Sequence, residues 1–200
     1  MYKGLGVPCL YQFLLENYGW TQSEFCYFCW TVTAIVWTLD TIRVCVPTSM
    51  SFFPFSMLKS IIREKEKNQL SGTCYFSLGC TLAVSLFPPA VAIVSIIWLV
   101  LGDMSAALIG VSVGGDMCVV KMGREGKKSL EGSAAMFLVC VLVGLVAFGE
   151  VYLREYAVVL GALVATAVEL YEPFGINDNL TIPITSSLAL QWGLSRIETC

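Results

Sequence analysis

Asp103 closes one very apolar stretch, directly after Gly102, and a lysine pair opens the next, in Gly126-Lys127-Lys128-Ser129-Leu130-Glu131-Gly132-Ser133. The connection between them is rich in glycine, so it can turn tightly. N–H groups of such a loop, or of a helix starting near Ser129, can cradle phosphate oxygens. Lys127 and Lys128 add point charges, and Arg124 is a third candidate. A carboxylate, several cations and a permissive backbone at one membrane junction suit phosphoryl transfer. That chemistry needs positioning and charge stabilisation more than a covalent intermediate. The competing reading of the same lysines is a solvated basic loop that sets topology.

Further carboxylates follow. Glu131 lies just past the lysines, where the plain alternative is an acid complementing a helix start. Glu169 sits inside an apolar run, and an ionisable group there is functional by default. Asp178, between Asn177 and Asn179 and ahead of Leu180-Thr181-Ile182-Pro183, can cap the last helix. It can equally hold Mg²⁺, which takes oxygen ligands and keeps several waters. The lysine motif is not a Walker A loop, because Lys127 rather than glycine precedes Lys128-Ser129. The chain has no histidine. That excludes a Ser-His-Asp triad, the usual catalytic zinc sites and the protein-kinase catalytic loop.

The elements that must position these groups are membrane helices. Of 200 residues, 56% are hydrophobic and 14% charged, with a mean hydropathy of +0.74. Soluble domains carry about 25% charged residues, so this chain cannot cover a globule with charge. Its net charge of −3 says little, because in a membrane protein the distribution matters more. The nine cysteines are scattered, mostly in apolar runs, and read as small packing residues. Cys26 and Cys29 lack a second pair, and the odd total argues against a secreted disulfide scaffold.

The apolar runs predict an all-α, polytopic transmembrane bundle of about six spans, each near 20 residues or tilted. They fall at 25–46, 72–87, 90–110, 133–149, 156–171 and 180–194. Asp40 and Arg43 lie one turn apart in the first and can pair on one face. Residues 1–22 read as neither a signal peptide nor a full span. Residues 51–68 place aromatics before Lys59, Arg63, Glu64, Lys65, Glu66 and Lys67, which predicts an interfacial amphipathic segment.

Charge gives the topology. The stretch 59–67 carries four basic residues, and 121–131 carries Lys121, Arg124, Lys127 and Lys128. Two spans separate them, so both face one side, and the positive-inside rule makes it the cytosol. Two more spans return the chain there at 172–179. Asp103, the lysine pair and Asp178 are therefore expected to converge on one membrane face.

At these residues the sequence resembles the CTP-dependent lipid kinases: dolichol kinase, phytol kinase and the yeast-type CTP-dependent diacylglycerol kinase. The resemblance rests on Gly102-Asp103 with Ala106-Ala107 and Gly110, on Gly126 to Ser133, on Glu169, and on Asn177 to Pro183. It runs over roughly residues 60–190, in order. It implies a polytopic helical enzyme moving the γ-phosphate of CTP to a lipid alcohol with a divalent cation such as Mg²⁺. Catalytic roles would fall to Asp103, Glu131 and Glu169. Nucleotide binding would fall to Arg124, Gly126, Lys127, Lys128, Ser129 and Gly132, and metal binding to Asp103, Asp178 and Asn179. Residues 1–24 would be an N-terminal segment, in part a shortened first helix, and 25–200 one lipid-kinase-like domain. The histidine and basic pair that open many family members are missing here, and residue 177 is Asn where an acid is common. The resemblance also implies an endoplasmic reticulum membrane location, lipid and CTP as partners, and no nucleic acid. Diacylglycerol is the expected acceptor, ahead of a polyprenol and phytol. The rival functions are a phosphatidate cytidylyltransferase and a membrane scaffold or transporter, although no paired halves of the transporter kind are visible.

Overall fold

Helices form where the apolar runs predict them, and turn residues set their limits. The computed structural model describes residues 6–46, 69–113, 121–122, 128–151, 153–172 and 175–198. The interfacial segment expected at 51–68 and the loop residues Arg124, Gly126 and Lys127 lie outside them. Helix α1 spans Gly6–Tyr18 and α2 Gln22–Cys45. Thr21 starts α2 with a reciprocal cap: its hydroxyl accepts from the Glu24 N–H, and its own N–H donates to the Glu24 carboxylate at 2.7 Å. Helix α3, Gly72–Leu86, stops before Pro88-Pro89, and Pro89 sits at the first position of α4, Pro89–Ile97.

A π-helical turn, Trp98–Gly102, joins α4 to α5, Asp103–Val113. Such turns re-aim the residues that follow and often occur at functional sites. Two short antiparallel strands, β1 (Lys121–Met122) and β2 (Lys128–Ser129), precede α6, Leu130–Ala147. Helices α7 (Arg154–Tyr171) and α8 (Asp178–Glu198) complete the bundle.

Among the described residues, three helical stretches are long and apolar enough to cross a membrane: Gln22–Cys45, Pro89–Ser112 and Leu130–Ala147. The all-α fold and the membrane character agree with the sequence. Helix α6 shows how packing works when lipid replaces water. Gly132, Met136, Cys140 and Gly144 recur every fourth residue on its buried face, while Leu138, Leu142 and Val146 are exposed at the same spacing. Both faces are apolar, as expected of a span rather than a surface helix. Small residues allow close contact: a Cβ on Gly161 would lie 2.7 Å from the buried Trp98 ring.

Helix α8 is less apolar and packs on α7, α3 and α4. Its buried hydroxyls are satisfied within protein: Ser186 donates to the Ile182 carbonyl at 2.6 Å, and Ser187 to Ser95 of α4 at 2.6 Å. Residues 6–18 form a helix too short to span, fixed by the buried Tyr11 stacked on Phe25 at 4.3 Å.

Asp40 and Arg43 pair as their spacing suggests, at 2.6 Å. The second Asp40 oxygen accepts from the Ser71 N–H at 2.7 Å, and Arg43 donates to the Gln69 carbonyl at 2.7 Å. The end of α2 is thereby tied to the start of α3.

Candidate active site

Lys128 is carried on β2, one residue before Ser129, the N-cap of α6. The Ser129 hydroxyl accepts from the Gly132 N–H at 3.1 Å, which fixes where the helix begins. Gly132 brings that start hard against α5, since a Cβ there would lie 2.7 Å from the Ala106 carbonyl oxygen. Ala106 is one turn beyond Asp103. The α6 start and Asp103 are therefore held on adjoining turns of two packed helices.

The end of α7 and the start of α8 supply the acids. Glu172 ends α7 in a left-handed conformation (φ 42°, ψ 66°), its N–H bonded to the Val168 carbonyl at 3.0 Å. Gly175, also left-handed at φ 68°, turns the chain back toward α8. Asn179 N–H donates to Asn177 Oδ1 at 3.1 Å and to Asp178 Oδ1 at 2.9 Å. Capping is thus shared between Asn177 and Asp178, which leaves the second Asp178 oxygen for other partners. Gly79 of α3 admits this turn, for a Cβ there would lie 2.5 Å from the Asn179 carbonyl oxygen.

These termini gather around one ammonium. Lys128 Nζ lies 3.0 Å from Glu169 Oε1, 3.0 Å from Glu172 Oε1 and 3.3 Å from Asp178 Oδ2. It also donates to the backbone carbonyl of Glu169. Asp103 and Asp178 are both close enough for their charges to act on Glu169. Burial alone would lower the Lys128 pKa, but the charges of Glu169 and Asp178, with hydrogen bonds to Glu172 and Glu169, drive it above the usual lysine value. The ammonium is charged at any physiological pH. Four carboxylates (Asp103, Glu169, Glu172, Asp178) then stand in one neighbourhood, and Lys128 is the cation the structure shows pairing with three of them.

Glu169 Oε2, Glu131 Oε2 and the Ser133 hydroxyl are buried and have no hydrogen-bond partner among the described residues. Uncompensated buried oxygens are costly, and that of Glu169 belongs to the acidic cluster around Lys128. Among the described residues no three Asp, Glu or Cys side chains form a ready metal cage. Mg²⁺ needs less, because one or two carboxylates plus substrate phosphates and water complete its shell. The orphaned Glu169 oxygen beside Asp178 fits that mode of binding.

Of the residues singled out from the sequence, Asp103, Lys128, Glu169 and Asp178 come together. Glu131 and Asn179 occupy the first turns of α6 and α8, and neither is among Lys128's partners. Ser129 and Gly132 act on the local backbone. Sequence reasoning missed Glu172, placed in a loop; its spacing of three from Glu169 was the available signal, since both then share the last turn of α7. The π-helical turn ahead of Asp103 left no mark in the hydropathy pattern.

No protein-family model matches the chain, and no solved structure matches it. Comparison with curated proteins does find relatives. The Rickettsia prowazekii protein named Uncharacterized protein RP860 is 33% identical over 164 residues, covering 79% of this chain and 76% of that protein. CTP-dependent diacylglycerol kinase 1 of Saccharomyces cerevisiae is 30% identical over 179 residues, covering 77% of this chain and 59% of the kinase. The Schizosaccharomyces pombe kinase of the same name is 27% identical over 142 residues, 65% of this chain and 63% of that protein. The chain spans roughly three-fifths of the length of these yeast kinases. Over about three-quarters of its length the chain is thus similar to proteins named CTP-dependent diacylglycerol kinase 1.

Proposed function

We propose that the chain is a membrane-embedded kinase that transfers the γ-phosphate of CTP to a lipid alcohol, with diacylglycerol as the acceptor and phosphatidate as the product. The observation that carries this reading is the gathering of Lys128, Glu169, Glu172 and Asp178 at three helix termini, with Asp103 beside them. It is supported by the names of the yeast relatives. The basic loops put this end of the bundle in the cytosol, where CTP is available. By analogy with the family it resembles, the membrane of this reading is that of the endoplasmic reticulum.

Lys128, with Lys127 and the N–H groups of the preceding loop, holds the phosphates. Asp178, Asn179 and Asp103, together with the free Glu169 oxygen, are the groups that would hold Mg²⁺. Bound there, the ion would neutralise charge between the β- and γ-phosphates and so let an anionic nucleotide enter an acidic basin. A carboxylate, Asp103 or Glu131, accepts the proton of the lipid hydroxyl as its oxygen attacks the γ-phosphorus, and CDP leaves. Exclusion of water by the surrounding helices strengthens each contact.

The test is to incubate the purified chain with γ-labelled CTP or ATP, Mg²⁺ and a panel of diacylglycerol, polyprenols and phytol. Label is expected in phosphatidate, with CTP as donor and CDP as by-product. Pyrophosphate formed from CTP and phosphatidate would replace the kinase by a cytidylyltransferase. Label in a polyprenyl phosphate alone would move the acceptor.

A further inference from the structure

An ammonium has three N–H bonds, yet four acceptors crowd Lys128: one oxygen each from Glu169, Glu172 and Asp178, and the Glu169 carbonyl. One acceptor is surplus. Its identity follows from burial and backbone. The Glu169 side chain is 6% exposed and Asp178 24%, whereas Glu172 is 37% exposed. Water can solvate Glu172 on release at little cost, while Glu169 would be left uncompensated in the interior. Glu169 lies inside α7, and Asp178, the first residue of α8, is held at the helix start by the Asn179 N–H, which donates to its Oδ1 at 2.9 Å. Glu172 is the first residue past α7, and its left-handed backbone is one that favours glycine.

We propose that Glu172 is a stand-in for a nucleotide phosphate oxygen: it pairs with Lys128 when no nucleotide is bound and yields the ammonium when phosphate arrives. This rests on the kinase reading for the nature of the phosphate, although not for the exchange itself. Glu172 then sets nucleotide affinity by competition. It is a positioning residue, acting through Lys128 without touching the reacting atoms.

Equilibrium binding of CTP to the full chain in detergent, without lipid acceptor, reads the exchange apart from turnover. Glu172→Gln is expected to tighten CTP binding by about two- to fivefold, the range of a partly exposed ion pair. Glu172→Asp, which keeps the competing charge, should restore binding toward the parent value. In steady-state assays the Glu172→Gln effect should fall on the KM for CTP more than on kcat. The gain should vanish in a Lys128→Gln background, because the competition needs the ammonium. A gain that survives there is through-space repulsion and overturns the stand-in, as does unchanged or weaker binding in Glu172→Gln. Normal CTP binding with no phosphorylated lipid would sink the kinase reading and leave the exchange standing. Absence of CTP binding in all variants would overturn both.

Discussion

Two charge clusters tie helix ends together in this molecule, and they are built to opposite plans. At the junction of α2 and α3, Asp40 and Arg43 are 8% and 3% exposed and balance one to one. Both Asp40 oxygens accept hydrogen bonds, one from Arg43 and one from the Ser71 N–H. At the junction of α6, α7 and α8, one lysine faces three carboxylates, and a buried Glu169 oxygen has no partner among the described residues. The first cluster is finished: nothing in it awaits a ligand. The second carries excess negative charge, an orphaned oxygen and an opening toward solvent. Structural ion pairs are saturated, whereas sites that exchange ligands are left unbalanced.

That contrast breaks most readily at Lys128 and Asp103. Lys128→Ala and Asp103→Asn should each lower kcat/KM by about 100-fold or more, as expected when charge stabilisation is lost from a preorganised site. Steady-state phosphorylation of lipid by labelled CTP measures it. The raised Lys128 pKa sharpens the claim. A group whose folded pKa lies above its unfolded value keeps its full contribution below the ordinary lysine pKa, about 10.4, and loses it only as the pH climbs through the raised value. Activity should therefore show no inflection from Lys128 between roughly pH 6 and 9.

Arg43→Ala should act on the other cluster and in the other way. It strands Asp40, and breaking such a buried pair costs about 3–5 kcal/mol. Thermal unfolding in detergent should show a lowered midpoint, with the KM for CTP in the remaining folded protein close to that of the parent. A KM shift larger than the stability change would erase the distinction between the clusters. The smallest effect belongs to the polar seam between α2 and α3, where the Thr33 and Thr81 hydroxyls meet at 2.8 Å. Thr33→Val should lower stability by about 1 kcal/mol and leave activity unchanged, measured by the same unfolding curve and assay.

The bundle was legible because hydropathy alone marks helices that face lipid. The predicted start of α3 at Gly72 and end of α7 at Tyr171 coincide with the structure, and Pro88-Pro89 after α3 and Pro173 after α7 are strong stop signals in the sequence. A shortened first helix within residues 1–24 was expected only through the family resemblance, because Tyr11 is buried by a tertiary stack on Phe25 that no local pattern encodes. Asp103, Lys128, Glu169 and Asp178 stood out because charge is rare in this chain. Glu172 did not, for it lies among other polar loop residues and gains meaning only from its distance to Lys128. The π-helical turn at Trp98–Gly102 was invisible for a similar reason: packing of Trp98 between Gly144 and Gly161 sets it, not composition.

The most direct measurement is transfer of label from γ-labelled CTP to diacylglycerol by Asp178→Asn and Lys128→Ala, each compared with the parent. The unbalanced cluster as phosphate site predicts loss of labelled phosphatidate in both, at a temperature where each variant is fully folded. Undiminished labelling in both variants would contradict it.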